Sequence, residues 1–114
     1  MLRWSAEVYG YRLDLNAVVD PSIHAGVPGA RALVGLVDAN LLGDESARDQ
    51  AKHEAIDELG SEGFVDAAAV IGNFEMMNRV AEGTGIPIAP QALEREAEMM
   101  RTLGLYDMLK SHHR

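Results

Sequence analysis

The chain has 114 residues, with 10 Lys and Arg against 18 Asp and Glu, a net charge of −8 and no cysteine. The acidic balance argues against nucleic acid and anionic membrane as partners, because the one basic cluster is the tail from Lys110 to Arg114. The missing cysteines exclude disulfides, thiol redox chemistry and Cys-ligated metal sites.

The length predicts one domain over residues 1–114, able to bury about two-thirds of its unfolded surface. A composition led by Ala, Met and Leu over aromatics favours helices. No uncharged apolar span is long enough for a transmembrane helix, and Met1–Glu7 lacks the apolar core of a signal peptide. Both point to a soluble cytoplasmic protein.

Residues 1–20 carry two periods at once. Leu2, Ala6, Tyr9 and Leu13 suit a helix, whereas Tyr9, Tyr11, Leu13 and Leu15 alternate as in a strand. A lone strand has no partner in an otherwise helical chain, so helix is the expectation. Pro21, Gly26, Pro28 and Gly29 mark a loop. Ala30–Leu42 reads as a helix with Leu33, Leu36, Val37 and Leu41 inward, stopped by Gly43. Asp44-Glu45-Ser46 opens the next helix, acidic at its positive dipole end. It runs to about Leu59, with Ala47, Ala51, Ala55, Ile56 and Leu59 inward.

The longest apolar run, Phe64 to Ala81, follows a candidate cap at Ser61 and precedes a stop at Gly83. As a helix it would be roughly 27 Å long. Phe64, Ala67, Ile71 and Phe74 cover one side and Val65, Ala69, Met76 and Val80 another. A helix apolar on most sides is expected to be buried. After Gly85-Ile86-Pro87, Pro90 suits the first turn of a helix to about Leu103, with Leu93, Ala97 and Met100 inward. The fold class is therefore all-α: a small bundle of about five helices around one buried central helix. The tail Ser111–Arg114 is expected to be loose.

Four sets of residues are candidates for chemistry. Ala68, Gly72, Glu75 and Arg79 share one face of the central helix by three-and-four spacing. Glu75 and Arg79 read first as a structural ion pair. The sharper reading makes Glu75 a general acid or base in a pocket, with Arg79 holding a substrate carboxylate. His53 and Asp57, one turn apart, read as a solvated pair, since the second His of a zinc-protease motif is missing. His24 in its loop has no visible partner, and His112-His113 lacks the carboxylate and rigid frame of a metal site. Met76-Met77 and Met99-Met100 read as core, or as a helix–helix seam between subunits. Neither a metal nor a cofactor is expected.

The string Val70-Ile71-Gly72-Asn73-Phe74-Glu75-Met76-Met77-Asn78-Arg79-Val80-Ala81, followed by Gly83 and Gly85-Ile86-Pro87, resembles the C-terminal half of the carboxymuconolactone decarboxylase and alkylhydroperoxidase D-like superfamily. The resemblance covers about residues 28–103. It implies an all-α fold and helix-mediated homo-oligomers, with Asn73, Phe74, Met77 and Arg79 as core and interface residues. In the peroxidase branch, activity depends on a Cys-x-x-Cys pair and a following His. No position here matches that motif, so the resemblance carries the scaffold and no catalytic residue. It implies a non-redox binding or assembly module that partners itself, with Ala68, Gly72, Asn73, Phe74 and Met77 at a binding or interface surface. The alternatives are a cofactor-free decarboxylase or isomerase acting on a small carboxylate or lactone through Glu75 and Arg79, and a subunit whose partner supplies the cysteines.

Overall fold

The computed structural model describes residues 2–107, and their regular secondary structure is entirely helical. In chain order the helices are α1 (Leu2–Val8), α2 (Ala30–Leu42), α3 (Glu45–Thr84), α4 (Pro90–Arg95) and α5 (Ala97–Thr102), with a 3-10 turn at Leu15–Val18 between α1 and α2. The chain forms two compact units: residues 28–86, and the described residues on either side of that stretch.

The 28–86 unit is built from α2 and α3. Gly43 ends α2 in extended backbone, its N–H bonded to the Ala39 carbonyl. Asp44 then caps α3, its side chain accepting from the Ala47 N–H at 2.9 Å. That bond satisfies one of the amides left free at a helix start. Asp44→Ala is expected to cost about 1 kcal/mol, read as a lower urea midpoint with an unchanged slope.

α3 is two helical arms joined at Gly60, whose φ of 76° and ψ of 169° are non-helical. Only glycine adopts that region readily. A straight helix would hold Ile71 about 24 Å from Ala55. Instead Phe64, Ala67 and Ile71 pack on the same cluster as Ala51 and Ala55, so the second arm turns back along the first. The cluster consists of Leu36 and Ala39 from α2 with Ala51 and Ala55 from α3. Alanines at the contact let the helix backbones come close, and Ala55 is fully shielded. At the start of α2, Gly29 sits so near Leu59 that an added Cβ would lie 2.6 Å from its Cδ2.

In the other unit, α5 packs on the 3-10 turn, and Ala17 and Met100 are buried. Asp14 caps the turn, accepting from the Asn16 backbone N–H at 3.0 Å and its Nδ2 at 2.9 Å. The Asp14 N–H donates to the Ala25 carbonyl at 2.9 Å. Gly26 lies against the Arg12 carbonyl with φ of 85°, leaving no room for a side chain. Pro90 takes the first turn of α4, as its fixed φ suits.

Several features depart from the sequence reading. The all-α class holds, but the arm at 61–84 is not a buried central helix: none of its residues is buried. Within its own unit it packs through the side that carries Phe64, Ala67 and Ile71. Met76 and Met77 are accordingly 59% and 51% exposed rather than core, and Leu41 is exposed too. The helix of the first twenty residues stops at Val8, and residues 11–14 are irregular. The second arm also runs past Gly83 to Thr84, and Gly85, with φ of 68°, is the cap. The helix expected from Pro90 to Leu103 breaks at Glu96 into α4 and α5. The tail, including His112 and His113, lies outside the described residues.

Candidate functional site

The nominated face lies on the second arm of α3. Ala68 and Gly72 are exposed, and a Cβ added at Gly72 would meet nothing within 4 Å. Glu75 is half-buried on the side turned toward the hairpin, whereas Arg79 is exposed. The expected Glu75–Arg79 pair is not made. Arg79 instead donates from Nη1 to Glu82 Oε2 at 2.8 Å, three residues on, with both side chains about two-thirds exposed or more (70% and 68%). Spacings of three and four both place side chains together on a helix, and the sequence offered Arg79 an acid at each. An exposed pair of this kind contributes little to stability, about 0–1 kcal/mol.

The other nominated residues on this arm do not converge on a pocket. Asn73 is exposed and donates from Nδ2 to the Met77 sulfur at 3.6 Å, a weak bond along the helix surface. Phe74 and Met77 are each 51% exposed. The arm presents two apolar stripes flanking the packed side. Val65, Ala69, Gly72, Met76 and Val80 recur at four, three, four and four residues; Val70, Phe74, Met77 and Ala81 recur at four, three and four. These are the spacings that keep side chains on one seam between two helices. From Ala67 to Asn78 the only charged residue is Glu75.

His53 does not engage Asp57. Its Nδ1 lies 2.7 Å from the Asp49 carbonyl oxygen, one turn back along the first arm. His24 uses Nδ1 to accept the Gly26 N–H at 3.0 Å, which makes it a loop-shaping residue. Among the described residues no group of three or more His, Asp or Glu is placed to hold a metal. Asp20 accepts from both the hydroxyl and the N–H of Ser22, and these bonds hold its carboxyl below the ordinary value.

One cavity was not foreseen. It lies in the unit outside 28–86, has a volume of about 350 Å³, and is lined by Arg12, Asp14, Asn16, Glu98, Met99 and Thr102 among others. Its walls come from the turn after α1 and from α5, far apart in sequence and sharing no motif. Of its acids, Asp14 is already committed to Asn16. The cavity contains none of the nominated residues.

Among the described residues no helix is long and apolar enough to cross a membrane. Compared with known proteins, the chain matches no family model, no curated protein and no solved structure.

Proposed function

We propose that the chain is a non-redox assembly module that self-associates through the second arm of α3, in keeping with its resemblance to alkylhydroperoxidase D-like proteins. The observation that supports this most is the exposure of Val65, Val70, Phe74, Met76, Met77 and Val80, each 51–61% accessible on a single helical arm. Contiguous apolar surface of this kind on a soluble chain marks an interaction face. A lipid surface is a poorer occupant: an interfacial helix needs Lys and Arg beside its apolar face, and this arm offers only Arg79, already paired with Glu82. The enzymatic alternative, with Glu75 and Arg79 acting together, draws no support from the observed pairing of Arg79 with Glu82.

Light scattering at about 100 μM is the test, since a micromolar Kd would keep nearly all copies associated there. The expected mass exceeds that of one chain. Val80→Asp is expected to weaken association at least tenfold, because an unpaired carboxylate buried at the contact costs more than about 1.4 kcal/mol. A wild-type chain that stays monomeric overturns the reading.

A further inference from the structure

The positions of one stripe on the second arm are nearly symmetric when read backwards. Val65, Ala69, Gly72, Met76 and Val80 lie almost symmetrically about the Gly72–Asn73 peptide. Val65 and Val80 are equidistant from that point, and so are Ala69 and Met76. A two-fold axis there would place a second arm antiparallel to the first. Val65 would then meet Val80 of the other copy, and the small Ala69 would face the long Met76. Gly72, with open space where a Cβ would stand, lets the two backbones approach at the crossing. This is the condition of an isologous interface, in which residue i touches j and j touches i.

We infer that the partner of this stripe is a second copy of the chain, crossing antiparallel at Gly72. The inference rests on the self-association proposed above and adds its geometry. Charge supports it. Two copies that each carry −8 repel, and the stretch with least charge is where they can come closest. On the helical spacing, Asp66 flanks the stripe on the edge that would lie beside Met77 and Thr84 of the other copy. Glu75 follows Ile71 by one turn and so lies on the packed side of the arm, away from the stripe. The second stripe is symmetric too, about the Glu75–Met76 peptide, but reversed on itself it sets Phe74 against Met77, large against large, with no glycine at its centre.

The absence of cysteine makes the geometry directly testable. Val65→Cys and Val80→Cys are exposed in the single chain, at 61% and 55%, so both variants should fold. Within one chain the two positions are about 22 Å apart and cannot bridge. On mild oxidation with diamide, each single variant alone should stay uncross-linked. An equimolar mixture of the two should give a disulfide-linked dimer, and the double variant a dimer with two bridges. Lys52→Cys, on the first arm, serves as the control for random collision. Efficient cross-linking of Val65→Cys with itself means a parallel pair and overturns the inference while leaving self-association standing. A dimer by light scattering with no 65–80 bridge assigns the contact to another face. A monomer removes both readings together.

Discussion

Leu36→Ala is expected to lower the stability of the 28–86 unit by about 2–5 kcal/mol. Leu36 is 3% exposed and is the largest side chain in the buried cluster, whose other buried members are Ala39, Ala51 and Ala55. Methyl groups contribute little area each, so the isobutyl group of Leu36 supplies a disproportionate share of what the cluster removes from water. Truncation leaves a hole whose buried neighbours, Ala39, Ala51 and Ala55, are too short to lean in, with Leu59, Phe64 and Ile71 at its half-buried edge. A large loss by urea denaturation, with helicity falling in the same transition, is the expected result. A loss under about 1 kcal/mol would mean that the hairpin is held elsewhere. Leu41, 54% exposed on the same helix, is the comparison: its truncation should cost far less in the isolated chain.

Gly60→Ala should be nearly as damaging, for a backbone reason. The observed φ of 76° and ψ of 169° lie where an L side chain is strained by about 1–3 kcal/mol, although a Cβ would touch nothing within 4 Å. Alanine also favours helical backbone over glycine by roughly 0.5–1 kcal/mol. Both effects push the joint toward straight helix and pull Phe64, Ala67 and Ile71 off the cluster. The expected signature is an undiminished helical circular dichroism with a lower unfolding midpoint and greater hydrodynamic radius. Gly83→Ala is the control, because Gly83 is helical, exposed and unobstructed. The same substitution there should stabilise by up to about 1 kcal/mol. If position 60 behaved like position 83, the hinge would not be where the backbone places it.

Much of the helical framework was legible because its signals are local. Gly43 and Asp44 end one helix and cap the next by the chemistry of the adjacent peptide groups alone, and Pro90 opens α4 for the same reason. The inward set Ala47, Ala51, Ala55, Ile56 and Leu59 followed from spacing. What misled was the apolar run from Phe64 to Ala81. Hydrophobicity on most sides of a helix reports that the surface is to be covered, but not by what. Burial inside one chain and burial between copies leave the same residue pattern. Gly60, just past the expected helix end at Leu59, carries only the signal of an ordinary stop, since nothing local shows that the chain would double back there. The Glu75–Arg79 pair failed because Glu82 offered a competing acid at an equivalent spacing. The first twenty residues carried both periods, and the chain resolved them into a helix to Val8, irregular backbone and one tight turn capped by Asp14.

Among the described residues no large side chain is completely shielded from solvent, and the buried set is mostly alanine. A lone chain built this way has a thin margin against unfolding. If copies cover one another's exposed arm, association adds to that margin by mass action. Abundance then governs lifetime: chains too dilute to associate linger near the open state that proteases read, whereas assembled ones do not. Such a protein would persist only where its synthesis passes a threshold, its turnover slowing as its copies accumulate.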